Sequence, residues 1–290
     1  MFSQILQIMA PLVLIVALGY FYGRRHQPQM ASANQMNLQL FCPALVFSAL
    51  ASGEFNLGDY VPLIVGASVV VLGSGLLLWP LCRMIGISAR TFLPPMMFNN
   101  SGNLGLPLLL FSFGESVMPI AIVLFIVEML WHFSLGIYLL DSKASLLKLF
   151  KLPMFIAAIA GLGFSFMPFD TPLFLLNTTQ LLGQIAIPLM LFSLGIRLVD
   201  IRLNEWRLGV ISSIAGPIAG VILALIFMAF VPLGDIQSKS LILFAALPPA
   251  VLNYMMAEQY QVEPQRVAAI VFISNLASIV IIPLILVWVL

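Results

Sequence analysis

Glu128 stands inside an otherwise apolar run, and His132 follows one helical turn later on the same face. An ionisable pair within a membrane-spanning segment suits a proton carrier, a coupling-ion ligand or a substrate contact. A neutral glutamic acid paired within a helix bundle accounts for the same pattern. A second concentration of chemistry is MFNNSGNLGLPLLL at 97–110, where Asn99, Asn100, Ser101, Gly102, Asn103 and Pro107 interrupt strongly apolar sequence. A third is LPPAVLNY at 247–254, with Pro248, Pro249, Asn253 and Tyr254. Proline removes a backbone donor and glycine lets the chain leave helical angles, so both segments read as broken helices. Breaking a helix in lipid strands N–H and C=O groups at several kcal/mol each unless protein or water meets them, so a break is tolerated where it lines a cavity. Freed N–H groups at a half-helix start carry partial positive charge, and asparagine and serine add neutral donors. Together they suit an anion that must be bound and then released. A kink or a tight helix crossing is the plain structural alternative.

The elements that hold these residues follow from composition. Of 290 residues 62% are hydrophobic and 8% charged, with a mean hydropathy of +1.11, whereas soluble domains carry roughly 25% charged residues. Twelve basic and eleven acidic groups cannot wet a globule of this size, so the chain is read as an all-α integral membrane protein. The near-neutral balance excludes nucleic acid as a partner. Cys42 and Cys82 lie in or beside apolar runs and form neither a disulfide framework nor a metal set. With no phosphate-cradling Gly-Lys-Ser/Thr loop, neither nucleotide, cofactor nor metal is expected. The run Ile5–Tyr22 is followed at once by Gly23-Arg24-Arg25, the reverse of a signal-peptide charge layout, so it reads as a retained span.

A helix needs about 20 residues to cross the hydrocarbon core. Ten segments qualify: 4–22, 35–52, 60–82, 90–112, 117–140, 152–168, 173–196, 207–231, 238–258 and 266–289. With both termini outside, the inner connections hold Arg24, Arg25, Arg83, Arg90, Lys143, Lys148, Lys151, Arg197, Arg202, Arg207 and Arg266, and Lys239 alone falls outside. Acidic residues divide evenly. Lys and Arg set orientation while Asp and Glu barely contribute, so the count and the orientation support each other.

The chain also resembles itself. CPALVFSAL (42–50) matches IPLMLFSLG (187–195) at an offset of 145, and AIVLFIVE (121–128) matches AAIVFISN (268–275) at 147, placing Asn275 opposite Glu128. Residues 1–140 and 152–290 are then two five-helix repeats joined by a cytoplasmic linker at 141–151. Five being odd, the second repeat enters the membrane inverted, an arrangement typical of secondary transporters with a midplane site between discontinuous helices. The fourth span aligns with the ninth at 146, setting Asn103 against Pro249 and Pro107 against Asn253. A rival register of 154 aligns LPPMMFN (93–99) with LPPAVLN (247–253).

Taken together, LGYFYGRR (18–25), CPALVF (42–47), NNSGNLGLP (99–107) and the stretch from Pro248-Pro249 to EQYQVEP (258–264) resemble the auxin efflux carrier family, bacterial branch, along the whole chain. The resemblance implies ten helices in two inverted halves with the fourth and ninth broken and crossing. It implies a scaffold of spans 1, 2, 6 and 7 that forms a homodimer, and a bundle of the remaining spans moving elevator-fashion. It also implies organic-anion substrates, auxin in plants and malate or malonate in bacteria. The crossing would run from Asn100 to Pro107 and from Pro248 to Asn253. The expected function is secondary or facilitated transport of a small organic anion across a bacterial inner membrane. A sodium-coupled symporter of the same fold is the alternative; a membrane-embedded enzyme using Glu128 and His132 lacks a second catalytic group.

Overall fold

The computed structural model describes residues 2–51, 57–141, 151–167, 170–200 and 205–290. Most of the linker expected at 141–151 lies outside these. Among the described residues every regular element is helical: α1 Phe2–His26, α2 Ala31–Met36, α3 Cys42–Leu50, α4 Leu57–Met84, α5 Ala89–Met97, α6 Leu106–Phe113, α7 Met118–Trp131, α8 Ile137–Leu140, α9 Pro153–Ser165, α10 Leu173–Gly183, α11 Ala186–Arg197, α12 Trp206–Phe230, α13 Asp235–Ala245, α14 Val251–Gln259 and α15 Pro264–Val289. All ten segments expected from the sequence contain helix. Six stretches are long and apolar enough to cross a membrane: Ser3–His26, Gly58–Met84, Glu115–Leu140, Leu173–Arg197, Trp206–Phe230 and Pro264–Val289. The other four are short, polar or interrupted, and the physical reason differs among them.

In the second segment Asn34 and Asn37 turn toward α11. Ser193 Oγ donates to Asn34 Oδ1 at 2.8 Å, and Asn37 Nδ2 approaches the Ala186 carbonyl at 3.5 Å. The fourth and ninth are broken, between Met97 and Leu106 and between Ala245 and Val251. Two π turns, Asn37–Phe41 and Ser101–Gly105, each lie just before a proline, Pro43 and Pro107. A proline ring excludes the bond to the carbonyl four residues back, and widening the turn relieves that clash. The long helices end on local signals. Arg24, Arg25 and His26 fill the last turn of α1, complementing its dipole, and Gln27 then reverses the chain at φ 46°.

Outward faces are apolar, as in Leu14, Leu18 and Phe21 of α1 and Phe230 of α12. This is an integral membrane protein. Helices meet where small residues let backbones touch, the packing device of membrane bundles. The seam between α1 and α11 is the tightest. A Cβ at Gly19 would lie 2.2 Å from the Phe192 carbonyl oxygen, and one at Gly195 only 2.0 Å from that of Val16. On α9, a Cβ at Gly161 would lie 3.1 Å from the Phe47 carbonyl oxygen of α3. Around these seams α4 packs on α12 and α7, and α12 on α15.

Candidate functional site

The two breaks meet in the interior. Phe98 (φ −106°, ψ 101°) and Ala250 (φ −62°, ψ 139°) are extended, and Asn99 pairs with Pro249 in an isolated antiparallel bridge. The Asn100 N–H donates to the Pro248 carbonyl at 2.7 Å, and the Ala250 N–H to the Phe98 carbonyl at 2.9 Å. Both bonds flank the Asn99–Pro249 pair, which is thus the non-hydrogen-bonded type, and a proline there forfeits no ladder bond. Prolines that break a helix are in this way compatible with a sheet-like contact. The two bonds map onto each other at an offset of 150 residues between partners, midway between the registers of 146 and 154 read from the sequence.

The stranded carbonyls are met largely by asparagine. Asn99 Nδ2 donates to the Phe244 carbonyl in the last turn of α13 at 2.5 Å. Asn253 Nδ2 donates to Phe98 at 2.9 Å and to Ala250 at 3.0 Å. Asn275 Nδ2 on α15 donates to Pro249 at 2.9 Å and to Val271 at 2.8 Å, while its Oδ1 accepts from Asn100 Nδ2 at 2.8 Å. Four of the five asparagine amides singled out from the sequence therefore close the breaks. A buried polar group left unpaired costs about 1–3 kcal/mol. Asn275→Ala, which strands both the Asn100 amide and the Pro249 carbonyl, is expected to lower stability by about 2–4 kcal/mol, measured by thermal unfolding in detergent.

Asn103 is different. It is partly exposed within the π turn Ser101–Gly105, and its side chain makes no hydrogen bond among the described residues. Beside it Gly102 is also partly exposed, and a Cβ there would meet the Phe125 ring at 2.9 Å. On the other segment Leu252 and Tyr254 are partly exposed, Tyr254 lying against Phe272 with ring centroids 5.5 Å apart. The π turn packs against α11 and α6 against α1. Pro107, Pro248 and Pro249 are buried. At the start of α14, a nine-residue helix, the N–H groups of Val251 and Leu252 have no partner a turn back, while the Asn253 N–H donates to the Ala250 carbonyl at 3.1 Å. A narrow cleft is lined by Ser74 of α4, Asn99, Pro249 and Gly216 of α12.

Ser101 leads elsewhere. Its hydroxyl donates to Glu128 Oε2 at 2.5 Å, and Glu128 Oε1 lies 3.2 Å from His132 Nδ1. The structure thus joins Glu128 and His132 to each other and to the first break. Asn275, the repeat match of Glu128, joins both breaks instead. Sequence reasoning missed Phe98, whose carbonyl takes two donors and whose ring stacks on His132 at 4.4 Å and 8°. An apolar residue within an apolar run carries no signal of that role.

A crossing of two broken helices buried among long apolar helices suits a membrane carrier. Residues 137–286, just over half the chain, match the model of the family described as "Membrane transport protein". This chain belongs to that family. Among other members of the membrane transport protein family, the "Putative malonate transporter" of Rhizobium meliloti (strain 1021) is 24% identical over 300 residues, covering 96% of this chain and 93% of that one. An uncharacterized transporter of Methanocaldococcus jannaschii is 23% identical over 293 residues, covering 94% of each. Membership makes this chain a membrane transporter rather than an enzyme, and its substrate a small molecule.

Proposed function

We propose that the protein carries a small organic anion, a mono- or dicarboxylate, across a bacterial inner membrane with both termini on the outer side. The observation that carries this reading is the crossing. Two broken helices meet through paired backbone bonds, their carbonyls are closed by asparagines, and Gly102, Asn103, Val251 and Leu252 keep unpaired donors among the described residues. Donors without cations favour a carboxylate while holding it loosely enough for release. The name given to the Rhizobium relative, a malonate transporter, agrees in substrate class. In this reading Asn100, Ser101 and Asn253 shape the site, while Gly102, Asn103, Leu252 and Tyr254 face the ligand.

The motion we infer is alternating access of an elevator type. The scaffold consists of α1, the second segment, α9, α10 and α11, and pairs with a second copy; the remaining helices carry the crossing. Two inverted halves underlie it. Gly19 of the first segment packs on Phe192, Gly161 of the sixth packs on Phe47, and Phe47 and Phe192 are repeat matches at an offset of 145. One contact thus has its counterpart with the halves exchanged, which supports a pseudo-two-fold relation in the membrane plane. The bond pair at the bridge shows the same exchange. The test is a thermal-shift screen of purified protein against mono- and dicarboxylates. Saturable stabilisation by one or more of them, absent with uncharged amide analogues, is the expected result. No response to any carboxylate would overturn the substrate class.

A further inference from the structure

The Glu128–His132 pair lies apart from the donors assigned above to the anion. Glu128 is 3% and His132 2% exposed. Both oxygens of Glu128 have partners, Ser101 Oγ and His132 Nδ1, but His132 Nε2 is buried with no hydrogen-bond partner among the described residues. With Glu128 ionised, Nδ1 must carry hydrogen to donate, and Nε2 is then either bare, giving the site a charge of −1, or protonated, giving zero. Moving that proton to the carboxyl also gives zero. One proton therefore separates a charged interior from a neutral one, and an uncompensated buried charge costs several kcal/mol.

Among the described residues nothing else nearby compensates it. Of the elements packed on the pair, α4 carries Asp59, Tyr60, Cys82 and Arg83 near its ends, α13 carries Asp235 and Lys239 bound to each other at 2.9 Å, and α3 carries Cys42. Glu115 precedes α7, Tyr138 follows on α8, and α6 and the π turn Ser101–Gly105 carry no ionisable group. None of these bonds to Glu128 or His132.

We propose that Glu128 and His132 together bind one exchangeable proton that travels with the anion, an inference that rests on the transport reading above. Two contacts tie its presence to the crossing. Ser101, which holds Glu128, opens the π turn that presents Gly102 and Asn103. Phe98 lies flat on His132, and an imidazolium gains from an aromatic face. The same Phe98 carbonyl accepts from Ala250 and Asn253 of the second break. His132 itself opens a π turn, His132–Gly136, a form concentrated at functional sites. An anion next to Ser101 is repelled by a pair of charge −1 and not by a neutral one. Proton and anion consequently favour each other's binding, which makes the carrier a symporter.

The chain has two histidines, and His26 is exposed at the end of α1, so His26→Gln leaves His132 as the sole reporter in protein labelled with nitrogen-15 histidine. Magnetic resonance spectra of that protein in lipid are expected to show His132 taking up one proton as the buffer is acidified. Malonate, used as the probe, should move that uptake to higher pH, by reciprocity. A ring and a Glu128 carboxyl, the latter read by infrared spectroscopy, that both keep one protonation state throughout overturn the proposal. In proteoliposomes, an inward proton gradient is expected to raise malonate accumulation by up to about tenfold per pH unit. In Glu128→Gln the ratio of uptake with and without the gradient should fall to about one; taking the ratio within each protein cancels any general loss of activity. Wild-type uptake that ignores the gradient overturns the coupling. Absence of wild-type uptake and binding for every carboxylate removes the anion reading and its coupling, while the ring and carboxyl titrations still decide whether the pair exchanges a proton.

Discussion

Asn103→Ala is expected to weaken carboxylate binding by roughly 10- to 100-fold while leaving the thermal midpoint of the ligand-free protein where it was. A hydrogen bond to a charged group contributes about 1.5–3 kcal/mol, and each 1.4 kcal/mol is a factor of ten in affinity. The unchanged midpoint follows from the geometry: Asn103 is partly exposed and its amide supports no other group among the described residues. Asn253→Ala should behave the opposite way. It removes the side-chain donor from each of the Phe98 and Ala250 carbonyls, which keep one backbone donor apiece, so unfolding should shift by about 1–3 kcal/mol and transport should fall because the crossing itself loosens. Isothermal titration with the best ligand of the carboxylate screen, beside unfolding curves of both variants, separates the two. Equal affinity in Asn103→Ala and wild type would remove Asn103 from the site.

The second large effect is expected at the seam of α1 and α11. At Gly195 even a methyl group would stand 2.0 Å from the Val16 carbonyl oxygen and 2.8 Å from the Tyr20 nitrogen. Those are backbone atoms, which cannot rotate aside, so the helices must separate along their length. Gly195→Ala is expected to cost on the order of 3 kcal/mol, seen as a collapse of the monodisperse peak in size-exclusion chromatography. Gly163 on α9 is the control, since a Cβ there meets nothing within 4 Å. Gly163→Ala should stabilise by up to about 1 kcal/mol through helix propensity. Comparable yields of the two variants would contradict the close packing at Gly195.

Much of this was legible in the residues, because lipid imposes simple rules. Long apolar runs become helices, and proline with glycine marks where Met97 and Ala245 end theirs. The positions of both breaks, and the pairing of Glu128 with His132 one turn apart, came directly from spacing. Register did not. The apolar alphabet supported both 146 and 154, whereas the bridge centres on Asn99 and Pro249 because backbone bonds flanking a proline fix which residues face each other. Nor did composition reveal how the asparagines divide their work. Asn99, Asn253 and Asn275 reach backbone carbonyls, Asn100 reaches Asn275, and Asn103 does neither, a distinction set by what each amide can reach across the fold. In the second segment the partners of its polar residues could not be read from the segment itself: Asn34 and Asn37 are answered by Ser193 and Ala186 of another helix.

The glycine seams have a consequence for how the chain is made. The principal partner of α1 is α11, and that of α3 is α9, each across the linker. When α1 leaves the ribosome its notch at Gly19 faces lipid, and the helix that fills it emerges more than half the chain later. Each half thus holds an unfinished surface that only the other completes, and assembly must wait for the second half before either becomes stable. The unit of folding is the whole chain.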